Sequence, residues 1–79
     1  MQTIFVQVKC ELGKAYQVAD EAVDVEGVSE VYSTSGKYDL MLKCYLPAES
    51  DIGHFVNEHI QVLNGVRDTF TVITFKAFN

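Results

Sequence analysis

Three groups of residues in this 79-residue chain have types and spacings that could do chemistry. His54 and Glu58 stand four apart, which places both on one face of a helix as a metal pair would be. A zinc centre needs three or four ligands, and only Asp51 is near enough to serve as a third, so no metal site is expected. His59 falls on an apolar helical stripe and reads as a hydrogen-bonded core or interface histidine. Cys10 and Cys44 form no Cys-x-x-Cys pair. Each is embedded in an apolar run, with Lys9 and Lys43 on the opposite strand face, so both read as buried inert thiols. Their comparable places in the two halves put them on neighbouring parallel strands, which leaves an oxidative cross-link open, although a cytoplasmic setting disfavours it.

The third group is the segment TSGKYDL, Thr34 to Leu40, with DTFT, Asp68 to Thr71. Gly36 serves a hairpin turn in any case. A turn that also presents backbone N–H groups beside the carboxylate of Asp39 offers both halves of a zwitterion site: donors for a ligand carboxylate and an acceptor for its ammonium. Thr69 and Thr71 are two apart, so their hydroxyls emerge on one strand face. They fit a small polar ligand or a cross-strand pair equally well.

The elements that must position these residues follow from periodicity. Ile4, Val6, Val8 and Cys10 alternate with Thr3, Phe5, Gln7 and Lys9, which predicts a strand over residues 3 to 10. From Leu12 the period becomes helical, with Leu12, Ala15, Tyr16, Ala19, Ala22 and Val23 on the predicted inward face and the end before Gly27. VSEVYSTSG and DLMLKCYL form a hairpin turned at Gly36, with Leu40, Leu42, Cys44 and Leu46 on one face. Pro47 stops the hairpin. Ser50 or Asp51 caps a second helix with the stripe Ile52, Phe55, Val56, His59, Ile60 and Leu63, closed by Asn64-Gly65. A final strand follows in VRDTFTVITFKAFN, with Phe70 and Val72 on one face and Ile73 and Phe75 on the other.

The order is β-α-β-β-α-β. A weak internal repeat matches Val8-Lys9-Cys10 to Leu42-Lys43-Cys44 and Gly27-Val28-Ser29-Glu30 to Gly65-Val66-Arg67-Asp68, with Cys-to-Gly separations of 17 and 21 residues. Two strand-helix-strand halves imply a ferredoxin-like α+β fold, an antiparallel four-stranded sheet with both helices on one face. Residues 1–79 then form a single domain.

Composition limits the function classes. Six basic against eleven acidic side chains give a net charge of −5, and the basic residues form no stripe, so direct nucleic-acid binding is not expected. No signal peptide or membrane-length apolar run is present, which predicts a cytoplasmic protein with no membrane partner. At 8.9 kDa the chain is small. Mass scaling gives about 4,800 Å² of folded against roughly 12,900 Å² of unfolded surface, so about 63% is buried alone, and such domains usually oligomerise. The open sheet face agrees, because Phe5, Met41 and a residue of the Val72–Ile73 pair must lie on it. An apolar patch of that kind is uncommon on a monomer and calls for a second copy.

STSGKYDLMLK and LNGVRDTFTVITF resemble the effector-binding half of the Lrp/AsnC feast/famine transcription regulators, the RAM domain. The resemblance runs from Phe5 to Phe78. Its most specific parts are Gly36-Lys37-Tyr38-Asp39, matching Gly-x-Tyr-Asp, and Gly65-Val66 leading into Thr69-x-Thr71. Asn64 departs from the family's proline. The resemblance implies a domain that dimerises through its sheet and often builds rings of four or five dimers, an octamer or decamer, with small effectors, usually amino acids, bound between dimers. It points to Thr34, Gly36, Lys37, Tyr38, Asp39, Thr69 and Thr71 as ligand-binding, with no cofactor. The family's helix-turn-helix has no counterpart in this sequence, which implies a stand-alone form acting by mixed assembly with full-length regulators. Two other readings stand beside this one: a dimeric ferredoxin-like oxygenase or isomerase using His59 and Tyr38 as acid and base, and a structural assembly module.

Overall fold

Alternation in β1 (Gln2–Cys10) and β3 (Leu40–Leu46) separates two environments. In the computed structural model, which describes residues 1 to 79, Ile4, Val6, Val8, Cys10, Leu40, Leu42, Cys44 and Leu46 are all buried on one side of the sheet. Val18 and Ala22 of α1 (Ala15–Ala22) cover them, as do Phe55, Val56 and Ile60 of the second helical element. That element is a short helix, α2 (Ile52–Phe55), running on into a π-helical turn over Val56–Ile60. Burying a side chain such as Ile4 or Leu42 contributes about 1.5–3 kcal/mol.

The sheet order is β2-β3-β1-β4, with β2 (Val28–Ser33) and β4 (Val66–Ile73) at the edges. Every neighbouring pair is antiparallel. Both helices lie on one face, the ferredoxin-like α+β arrangement. The other face is open, and its central rung reads Glu30, Lys43, Phe5, Val72 across the four strands.

The internal repeat has a structural counterpart. Gly27 and Gly65 precede β2 and β4 with φ of +101° and +99°. The carbonyl of Gly27 accepts the N–H of Tyr45, next to Cys44, and that of Gly65 accepts the N–H of Glu11, next to Cys10, both at 2.8 Å. Each half of the chain is thus latched to the central strand of the other.

Four expectations are corrected. The first helix starts at Ala15, and Leu12, 96% exposed, stands in the preceding turn, with Tyr16 and Val23 also in solvent. Val18, absent from the predicted stripe, takes the buried place, because one residue rotates a helix by about 100°. Cys10 and Cys44 are not on parallel strands: β1 runs antiparallel to β3 and Cys44 sits opposite Ile4. Six residue steps along β1 take Ile4 to Cys10, roughly 20 Å, so the thiols cannot be bridged. The last strand ends at Ile73, and Phe75 lies beyond it in an irregular segment. His59 is exposed rather than core, its ring 5.6 Å from that of Phe55. The N–H of Gln61 donates to Val56 O at 2.9 Å, and this wider turn carries His59 off the buried stripe.

Candidate functional site

The β2–β3 turn is built by hydrogen bonds that leave its tip in solvent. The N–H of Thr34 donates to Asp39 O at 2.9 Å, and its hydroxyl donates to Tyr38 O at 3.0 Å. Between them Gly36 takes φ +97°, a conformation that costs any side-chain-bearing residue about 1–2 kcal/mol. Lys37 stands exposed at the tip.

Asp39 ties this turn to the end of β1. Its N–H donates to Val8 O at 2.9 Å, and its Oδ2 accepts the N–H of Cys10 at 2.8 Å. β3 begins only at Leu40, so on its β3 side Cys10 has no strand backbone facing it, and the carboxylate completes the ladder in its place. Oδ1 is left for other partners. Burial, followed by the charge of Asp39, pushes the Cys10 thiol up, with Lys9 opposing. A cleft of about 300 Å³ opens beside Asp39, walled by Cys10, Gly13 and Tyr16.

Thr69 and Thr71 lie on the far side of β1, opposite Val8 and Val6, and therefore on the helix-bearing face of edge strand β4. Val8 pairs with Leu40 on one side and Thr69 on the other, so Thr69 is two strands, about 10 Å, from the end of the turn. Tyr38 takes a different course, its ring 6.2 Å from that of Phe70 on the open face. The fold thus brings Thr34, Gly36, Lys37, Tyr38 and Asp39 together as one turn, sets Thr69 at the same end of the sheet, and leaves Thr71 two residues further along β4.

One contact here had no signal in the sequence. Gln61, after the π-helical turn, donates from Nε2 to Thr69 Oγ1 at 2.8 Å. The two are joined by the Gly65 turn rather than by any periodicity. The histidine pair is a surface feature: His54 Nε2 lies 3.0 Å from Glu58, both exposed, while Asp51 Oδ1 caps the helix by accepting the N–H of His54. No three His, Cys, Asp or Glu side chains gather as a metal site.

The Lrp/AsnC ligand binding domain matches residues 3–79, nearly the whole chain. This chain belongs to the Lrp/AsnC family. The HTH-type transcriptional regulator FL11 of Pyrococcus abyssi is 33% identical over 73 residues, 92% of this chain and 48% of that protein. This Lrp/AsnC chain therefore spans about half the length of the curated relatives it matches. TTHA0845 from Thermus thermophilus superposes with a TM-score of 0.91 at 29% identity, covering 100% of this chain and 99% of its own. E. coli AsnC shares the fold, with a TM-score of 0.87 at 18% identity over 96% of this chain and 52% of its own. The curated relatives that match are named HTH-type transcriptional regulators, which favours the regulatory reading over the oxygenase or isomerase one. No helix is long and apolar enough to cross a membrane.

Proposed function

We propose that this chain is an effector-sensing module of transcription regulation that binds a free amino acid between copies of itself. The β2–β3 turn, Thr34, Gly36, Lys37, Tyr38 and Asp39, holds the α-carboxylate and α-ammonium. Thr69 and Thr71 of β4 supply hydroxyls, and a neighbouring copy completes the pocket. The observation that carries this reading is the placement of the Asp39 turn and Thr69 on the two flanks of Val8 at one end of the sheet. The regulator NMB0573 of Neisseria meningitidis, a neighbour in fold, is described in complex with L-Met, which agrees with an amino acid as the class of ligand.

Copies pair through the open sheet face. The chain measures 35 × 25 × 18 Å, so the two longer extents bound a face close to the ~800 Å² per partner of a standard stable interface. Rings of dimers follow from a second contact near the effector. The same pairing surface lets the domain assemble with full-length Lrp/AsnC regulators, which is how a chain with five more acidic than basic side chains reaches DNA without binding it. Residues 1–79 act as one unit in this assembly.

A thermal-shift screen of the twenty amino acids at millimolar concentration tests the reading. At least one raises Tm, and Thr71→Val removes the shift while keeping the fold. No shift with any of the twenty overturns it.

A further inference from the structure

The cleft of about 300 Å³ beside Asp39 opens where β1 gives way to α1. A tight turn builds it: the N–H of Lys14 donates to Glu11 O at 3.0 Å, and Gly13 between them takes φ +79°. Two backbone bonds pin this stretch, the Glu11 N–H on Gly65 O at 2.8 Å and the Cys10 N–H on the Asp39 carboxylate at 2.8 Å. Leu12, Ala15 and Tyr16 make most of the cleft surface apolar, and Lys9 and Glu11 border it with opposite charges. The Cys10 thiol, pushed up by burial and then by Asp39, is uncharged at neutral pH. Leu12 is 96% and Tyr16 78% exposed, so nothing in the chain covers this apolar wall next to a carboxylate.

A mostly apolar cleft with one anionic group in its wall suits a ligand with a cationic head and an apolar tail. Its volume lies at the lower end for ligand pockets, enough for one amino-acid side chain. A charged side chain would shed water against Leu12, Ala15 and Tyr16 without a fixed counter-charge, since Lys9 and Glu11 oppose one another. An apolar side chain gains from the same burial. Because the walls are pinned through the backbone, little ordering is required when the ligand enters. We propose that the amino acid sensed by this chain has a large, uncharged, apolar side chain, which enters the cleft of the same copy whose Asp39 takes its ammonium. Leu12 and Tyr16 then set the selectivity. This rests on the reading that Asp39 meets an amino-acid ammonium, and it adds the class of effector and the place of its side chain.

Calorimetric titration of the wild-type chain with each of the twenty amino acids ranks the side chains. A large apolar one, such as L-leucine, L-methionine or L-phenylalanine, is expected to bind about tenfold or more tightly than L-asparagine, glycine or any charged one. Leu12→Asp and Tyr16→Ser alter exposed positions and should keep the wild-type circular dichroism. Each is expected to weaken the preferred amino acid by about tenfold and to shrink its advantage over L-asparagine, while Leu12→Met restores both. A polar, charged or small amino acid bound best by the wild-type chain overturns the cleft assignment and leaves the Asp39 reading standing. An apolar preference that Leu12→Asp and Tyr16→Ser both keep also overturns it, because the side chain then lodges elsewhere. Binding of none of the twenty removes the Asp39 reading and the cleft assignment together.

Discussion

The backbone N–H of Cys10 donates to the Asp39 carboxylate across 2.8 Å, so a side chain of the β2–β3 turn stands in for a missing strand partner at the end of β1. The residue best placed to meet a ligand ammonium also holds the turn in position. In the proposed reading structure and binding therefore meet at Asp39, and the two roles separate by substitution. Asp39→Ala removes a charge-assisted bond and leaves a part-buried donor unpaired, which costs about 1.5–3 kcal/mol. Asp39→Asn keeps an acceptor for Cys10 and costs about 1 kcal/mol or less, yet has no charge for an ammonium. Urea unfolding of both variants checks the stability order, and titration with the amino acid found by thermal shift checks that both lose binding.

Gly36 and Gly65 share nearly the same positive φ, +97° and +99°, but differ in surroundings. A Cβ at Gly36 meets nothing within 4 Å, whereas one at Gly65 comes within 3.0 Å of Lys14 Cβ and 3.1 Å of Val18 Cγ2. Gly36→Ala is therefore expected to cost only the conformational strain, about 1–2 kcal/mol. Gly65→Ala adds overpacking of about 1–3 kcal/mol. Equal unfolding midpoints for the two would contradict this account of the α1 contact.

The Cys44 thiol is fully buried, and burial pushes its pKa from 9.0 to about 11. Well below pH 9 both the folded and the unfolded chain keep this proton, and the thiol's contribution to stability is intact. Between about pH 9 and 11 the unfolded chain releases it while the native chain retains it, so stability falls by about 1.4 kcal/mol per pH unit from this group. Urea midpoints at pH 8, 9 and 10 should decline more steeply for wild type than for Cys44→Ala. A thiol reagent should leave Cys44 untouched until the chain is unfolded.

Val72 faces Phe5 across the open-face rung and is only partly covered in the single chain. Val72→Asp is therefore expected to leave the fold within about 0.5 kcal/mol of wild type, as a surface change does. The buried carboxylate in a paired sheet face would be costly, so the variant should elute as a monomer in gel filtration at concentrations where wild type is dimeric. Unchanged elution would place the interface elsewhere.

Much of this fold was legible because the strands carry strong alternation and the glycines mark the turns. Ile4 to Cys10 and Leu40 to Leu46 could face only one core, and the Gly27 and Gly65 repeat anticipated the paired latches. α1 was harder to place because eight residues, rich in small alanines, fix rotation weakly. Leu12 and Tyr16 fit a helical period as well as Val18 does, and packing decides between them. His59 was misplaced for a different reason: a periodicity of 3.6 assumes α-helical geometry, and the π-helical turn departs from it. At the site, the turn residues were legible as a motif. The Cys10–Asp39 and Gln61–Thr69 bonds were not, since each depends on strand ends and loops meeting in three dimensions.

A structure of the assembled protein, determined with the amino acid that raises Tm most, tests the central claim most directly. The account predicts that amino acid lodged between copies, its ammonium at Asp39 and its carboxylate on the backbone of the Gly36 turn, with Thr69 and Thr71 lining the pocket. A crevice beside Asp39 filled by side chains of the neighbouring copy, with no room for an amino acid, would contradict it and leave a purely structural assembly module.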